Sequence, residues 1–325
     1  MSGVRRLLRV PGEVSSAAVR HMQRSQGVLI LLTTLACWSS VPLFLKHLSG
    51  YLDHWTNNGW RYGASALFWM PAVVWAVARG RLPRAIWTAA LVPAAVNAAS
   101  QVAFTAAHSD VSPGIVTFGL RLQLVFVAVG AYLLFPGERA TIRSARYLAG
   151  LALLIGGIGV VLFGGEVDLH GASLRGVLLS VASGLGYGVY GLSVRRFMYG
   201  FHPIYAFGVI AMYTAAALVV GMLCFGHNHG MDVLELQSRE LWELGLSAFL
   251  GIALGHVLYY ASIDRLGVAA TAGVLQLQPF IVSVAAMGIF GDRLHAMQWG
   301  GGVVAVAGAG LVLAAQKAAE RRARA

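Results

Sequence analysis

Charge is scarce in this chain, and cysteine nearly absent. Only 11% of the 325 residues are Asp, Glu, Lys or Arg, against about 25% in ordinary soluble domains. So few charges cannot cover a soluble fold of this length, which leaves the bilayer as the natural solvent. The two cysteines, Cys37 and Cys224, both fall in apolar stretches and give neither a disulfide framework nor metal-ligand spacing. Carboxylates are missing from the middle of every apolar stretch; each Asp and Glu lies at a stretch end or outside. No Walker-type phosphate loop occurs, which speaks against ATP hydrolysis within the chain.

What is present is hydrophobic sequence, 58% of the residues. Ten apolar stretches stand out, near Gly27–Leu45, Gly59–Val77, Ala85–Ala107, Val111–Phe135, Tyr147–Phe163, Gly176–Val194, Pro203–Phe225, Leu241–Ile263, Gly267–Phe290 and Met297–Ala315. Each is close to the roughly 20 residues a transmembrane helix needs. Connections are short: Asp110 to Val111 and Asp264 to Gly267 predict tight helical hairpins.

The net charge of +11 is an orientation signal. Arg5, Arg6, Arg9, Arg20, Arg24, Arg79, Arg81, Arg84, Arg139, Arg143, Arg146, Arg195, Arg196, Arg265, Lys317, Arg321, Arg322 and Arg324 fall in one set of alternate connections. The other set holds only Lys46, Arg175, Arg239 and Arg293, with most of the acids: Asp53, Asp110, Glu166, Asp168, Asp232, Glu235, Glu240, Glu243 and Asp292. The positive-inside rule then puts both termini in the cytoplasm of a multi-pass cell-membrane protein. No basic stripe with interleaved aromatics supports a nucleic-acid partner. The basic segment before Gly27 lacks a small-residue cleavage site, so an uncleaved first helix is expected.

The second five stretches read as a degraded copy of the first five. Leu120-Arg121-Leu122-Gln123 matches Leu275-Gln276-Leu277-Gln278, Gln101-Val102-Ala103-Phe104 matches His256-Val257-Leu258-Tyr259, and Phe135 matches Phe290. Gly27-Val28-Leu29 matches Gly176-Val177-Leu178, which sets Trp38 opposite Tyr187 and Lys46 opposite Arg195. Two related halves with an odd number of spans must run in opposite orientations, the plan of a secondary transporter with a midplane site. The fold expected is an all-α integral membrane protein of about ten transmembrane helices in two inverted five-helix repeats. Residues 27–164 form the first repeat and 176–315 the second. A 165–175 loop joins them, and basic segments 1–26 and 316–325 flank them.

The ends of the fourth and ninth stretches, Phe135-Pro136-Gly137-Glu138-Arg139 and Phe290-Gly291-Asp292-Arg293, give this pattern a family likeness. The chain resembles the drug/metabolite transporter superfamily, in particular EamA-type members. That family often has a proline before an apolar helix that closes on an acid, followed by a glycine-rich helix. The second half shows this as Gln278-Pro279-Phe280 through Asp292; the first half has Leu124 where the proline would be, and Asp292 replaces the commoner glutamate. The resemblance implies the fold, transport of a small metabolite and, by the family's habit, export.

Several polar residues lie at membrane depth. Arg121, about 15 Å of helix rise into the fourth span, costs at least ~2.5–3.5 kcal/mol to insert. With no carboxylate nearby in sequence it must meet water, carbonyls or an anion. It is a candidate for binding a substrate carboxylate or phosphate through paired charge-assisted bonds, the alternative being a structural arginine on kinked-helix carbonyls. Arg61 sits nearer a span end, where it could snorkel outward toward Asp53; the family often has a basic residue there. Gln101 and His256 are repeat equivalents, with Asn97 and Tyr260 one turn away on the same faces. Their interhelical hydrogen bonding is the plain alternative to substrate contact, and His256 has a pKa range suited to proton coupling. Trp38, Tyr187 and Tyr190 could line a cavity or simply pack. Gln123 points away from Arg121 and is expected to bond a neighbouring helix. Gly184-x-x-x-Gly188, Gly251-x-x-x-Gly255 and the glycines of the fifth and tenth spans suit close helix packing or a dimer face. His227 and His229 lack a third metal ligand.

The expectation is a secondary-active transporter of a small amino acid or related anionic or zwitterionic metabolite, working by alternating access. Neither cofactor nor metal is expected, and the chain is a monomer or homodimer. An intramembrane transferase on lipid-linked substrates is the enzyme alternative, but no nucleophile–base set supports it. A scaffold or lipid flippase is the other, and a scaffold has no use for a buried arginine without a counter-ion.

Overall fold

The computed structural model describes residues 16–165 and 172–324. Arg5, Arg6 and Arg9 of the N-terminal segment, and Glu166 and Asp168 of the inter-repeat loop, lie outside the described residues. Among those described there are helices and no strands, as expected of an all-α membrane protein, since only helices and closed barrels satisfy the backbone in lipid. The helices are α1 (Ser16–Leu48), α2 (His54–Ala78) and α3 (Leu91–Asp110, after a short turn Ala85–Ala89). Then follow α4 in two pieces (Pro113–Leu120 and Gln123–Leu134), α5 (Ala145–Phe163), α6 (Ala172–Phe197) and α7 (Pro203–Phe225). The last are α8 (Ser238–Ala248, a π-helical stretch Phe249–Leu254, and Gly255–Leu266), α9 in two pieces (Val268–Leu275 and Gln278–Phe290) and α10 (Ala296–Arg324).

Among the described residues, nine of these spans are long and apolar enough to cross a membrane. The tenth, α2, is long enough but more polar, because Asn57, Asn58 and Arg61 are all buried on it. Lipid-facing positions carry apolar side chains such as Leu67, Leu133, Val220 and Ile289, all exposed. Such an apolar surface belongs in lipid.

The packing follows the repeat. Helix α1 packs along α8, α2 along α7, α3 along α6, α4 against α9 and α5 along α10. Exchanging the halves maps this set of pairs onto itself, as a twofold axis in the membrane plane requires. The α5–α10 pair shows why both are glycine-rich. A Cβ on Gly157 would come 2.4 Å from the Ala305 nitrogen, and one on Gly308 would come 2.5 Å from that of Leu154. Gly150 and Gly308 each approach the other's carbonyl, and so do Gly157 and Gly301. Four other glycines of the pair, Gly156, Gly159, Gly300 and Gly310, meet open space instead.

The two ends differ chemically. At one, Arg175 forks onto Asp110 at 2.7 and 2.8 Å, tying the start of α6 to the end of α3. His47 meets Glu243 at 2.5 Å, and Arg239 meets the same carboxylate at 3.0 Å. Asp53 caps α2, accepting from the backbone N–H groups of Trp55, Thr56 and His227. Partial burial opposes the charge of Asp53, but these bonds and one from the Thr56 hydroxyl outweigh it and hold the carboxyl below its usual range. The His227 imidazole, hydrogen-bonded to Asp232, is pushed up. At the opposite, basic end, arginines stack on aromatic rings: Arg81 lies 4.7 Å from the Trp75 ring centroid and Arg195 4.0 Å from that of Phe135, with Arg195 also paired to Glu138.

Candidate functional site

The repeat match at Arg121 and Gln276 marks a break in the helix in both halves. Arg121 N donates to Phe118 O and Leu122 N to Gly119 O, three residues back instead of four. Gln276 N to Gly273 O and Leu277 N to Val274 O repeat the pattern at the equivalent place. Pro279 stands in the first turn after the break, where its missing N–H costs nothing. The first break is held by α6: a Cβ on Gly184 would lie 3.1 Å from Gly119 O, and one on Gly188 would lie 3.2 Å from Gln123 O. Gly184-x-x-x-Gly188 therefore admits the broken strand of backbone at close range. Gln123 makes no side-chain hydrogen bond among the described residues, contrary to expectation, because the glycine face of α6 meets its backbone and offers it no side-chain partner.

Arg121 is buried at this break, 7% exposed. Its Nη2 donates to Gln278 Oε1 at 2.5 Å, and Gln278 Nε2 donates to Trp38 O at 2.7 Å. The bridge spans the two repeats, from α4 through α9 to α1. Its partner is a neutral amide, so the guanidinium charge is uncompensated, and Nε is buried without an acceptor.

Arg61 departs from its expected place. It is 2% exposed and does not snorkel to Asp53; its Nε donates to Ser247 Oγ of α8 at 2.9 Å, and Nη1 is buried without an acceptor. The side chain turns inward because α2 packs between α7 and α8, which leaves no route to the end of the bundle. Beside it lies a polar set. Tyr62 faces the amides of Asn97 and Gln101, Tyr187 faces Gln101, and both phenols lie near Arg61. Asn97 Nδ2 also donates to Thr214 Oγ1 at 3.2 Å, and Asn58 joins Gln101 O and Thr105 Oγ1.

The remaining candidates form an aromatic group. His256 stacks on Phe207 with centroids 4.4 Å apart and meets Trp38 edge-on at 5.5 Å. Its Nδ1 lies 3.2 Å from Ile252 O. The π-helical stretch leaves Gly251 O to accept from Trp38 Nε1 at 3.2 Å, a local widening of the kind often found at functional sites. Tyr190 and Tyr260 line a cavity of about 220 Å³ with Val194, Met198, Phe201, Pro203 and Phe207. Met198, Phe201 and Pro203 put it toward the end that carries Arg195 and Arg196.

The nine candidate residues thus fall into three neighbouring groups: Arg61, Asn97, Gln101 and Tyr187; Trp38, His256, Tyr190 and Tyr260; and Arg121 at the break, linked to the second through Trp38. Sequence reasoning missed Tyr62, Phe207, Ser247 and Gln278. Gln278 was legible as the equivalent of Gln123. It also missed His108, fully buried in the last turn of α3 with Nδ1 2.7 Å from Phe104 O. Among the described residues no group of three or more His, Cys, Asp or Glu could hold a metal ion.

A model of the EamA-like transporter family matches residues 25–163 and 174–314, one match for each repeat. No curated protein matches the chain. A solved crystal structure of a protein 19% identical in sequence superposes with a TM-score of 0.58, over 90% of this chain and 99% of that one; the likeness is one of fold.

Proposed function

Because the chain belongs to the EamA-like transporter family, whose members are membrane transporters of small molecules, we propose that it is a secondary-active transporter of a small anionic or zwitterionic metabolite, of amino-acid size. The solute binds between the inverted repeats, and rocking of one half against the other exposes it to each side in turn. One observation carries this reading. Two arginines are buried at membrane depth, and neither has a carboxylate partner among the described residues. A guanidinium costs at least ~2.5–3.5 kcal/mol there, and a protein that only needed packing would place an apolar residue instead. An anionic guest offsets that cost for the part of the cycle in which it is bound.

Arg121 is suited to this because its bridge to Gln278 spans the halves, so an anion that competes for the guanidinium also loosens the link between them. The cavity beside Tyr190 and Tyr260 suits a state open toward the basic end. That end is the cytoplasmic one by the charge asymmetry, which puts both termini inside, and the family resemblance supports export. Reconstitution into proteoliposomes with a counterflow assay across metabolites tests the proposal. Arg121→Gln is expected to abolish flux of the anionic substrate with membrane insertion intact. Flux in that variant equal to the parent would remove Arg121 from the transport path.

A further inference from the structure

The polar residues of α2 have a spacing that packing does not explain. Asn57, Arg61, Ser65 and Trp69 follow one another at intervals of four, on one ridge of the helix. All four are buried. Each carries a polar atom with no hydrogen-bond partner: Nδ2 and Oδ1 of Asn57, Nη1 of Arg61, Oγ of Ser65 and Nε1 of Trp69. More than about 90% of buried polar groups find a partner in folded proteins, so four successive orphans on one ridge are not accidental packing. The ridge runs ~18 Å along the helix, most of the way through a hydrocarbon core of about 30 Å. Its upper part faces Ser247 and Gly251 of α8, and Trp69 at its lower end meets Phe207, which lines the cavity.

The charge on the ridge itself is that of Arg61. Arg61 stands beside the phenols of Tyr62 and Tyr187 and pairs with no acid among the described residues. Lys46 of α1 and Arg61 of α2 both act on His108 of α3. Cations from two helices thus lie near His108 on this side of the bundle.

We propose that Arg61, with Asn57 and Ser65 one turn to either side, is a carboxylate-binding station on the solute path, selective for guests of net negative charge. This rests on the transport reading above. The Nε edge of the guanidinium is fixed by Ser247, so the carboxylate docks on the outward pair of nitrogens; the Asn57 amide and Ser65 hydroxyl complete its shell. Because no carboxylate pairs with Arg61 among the described residues, a guest with a compensating amine binds less well than the same skeleton without one.

Three probes of matched skeleton separate the terms: phenylpyruvate (carboxylate alone), L-phenylalanine (carboxylate and ammonium) and L-phenylalaninamide (ammonium alone). Binding to purified full-length protein is measured by calorimetry, and counterflow in proteoliposomes. The expected order is phenylpyruvate, then phenylalanine, with no binding of the amide. Arg61→Gln should weaken phenylpyruvate by roughly tenfold or more, the scale of one charged hydrogen bond. Should Arg61→Gln fail to fold, Asn57→Asp provides a second variant: it sets a carboxylate one turn from Arg61, and the same loss is expected. Arg61 or Asn57 variants that bind phenylpyruvate as the parent does would overturn the station while leaving transport standing. Binding by the parent without counterflow would overturn transport and keep the station. Parent protein that prefers the amide, or binds none of the three, would overturn the station.

Discussion

The two broken helices are built alike and equipped differently. Each loses one turn of regular hydrogen bonding at the same repeat position, with matching donors three residues from their acceptors. Yet the first break carries Arg121 and the second Gln276, both buried. Duplication supplies the matched geometry, and divergence at one position supplies the charge. A symmetric pair of arginines would repel and double the burial cost; a symmetric pair of glutamines would carry no charge.

Making the second break resemble the first should have the largest structural effect. Gln276→Arg adds a guanidinium at a site 4% exposed, with an expected loss of ~3 kcal/mol, read as a lower unfolding temperature in detergent. Cutting the bridge comes next. Gln278→Ala removes the acceptor for Arg121 and the donor to Trp38 O together, and should cost about 2 kcal/mol; wild-type stability would mean the bridge is unimportant. The axis between the halves can be forced apart by Gly157→Val, whose side chain meets the Ala305 backbone. A loss of about 1–3 kcal/mol is expected for such overpacking, while Gly156→Val on the open side should be neutral by the same thermal measurement.

Much of this was legible in the sequence, for identifiable reasons. Apolar length and short connections set the helix count, and the match around Leu120 and Leu275 set the inverted repeat. The first break was not legible. Nothing in Leu120-Arg121-Leu122-Gln123 is a helix breaker, and α6 glycines distant in sequence admit the distorted backbone. Arg61 was misread for a related reason: distance from a span end suggests snorkelling, but α8 stands in the way. The ridge from Asn57 to Trp69 was visible as a four-residue spacing on the least apolar span. It went unread because its significance lies in the absence of partners, which only packing reveals.

The smallest expected effect is at the acidic end, away from both breaks. Asp53 is held ionised by backbone N–H groups, so its folded-state pKa lies below the unfolded value near 4. Its contribution is full above that value and is lost as pH falls through the lowered folded pKa. Asp53→Ala should cost about 1 kcal/mol at neutral pH, as a lost helix cap, and should flatten the acid limb of a stability–pH curve. An unchanged acid limb would show that the cap adds nothing to the fold.

Trans-stimulated exchange of phenylpyruvate, measured in proteoliposomes with equal amounts of parent and Arg121→Gln protein, bears most directly on the uncompensated guanidinium between the repeats. Saturable exchange in the parent and none above empty liposomes in the variant is the result expected. Equal exchange in both would contradict it.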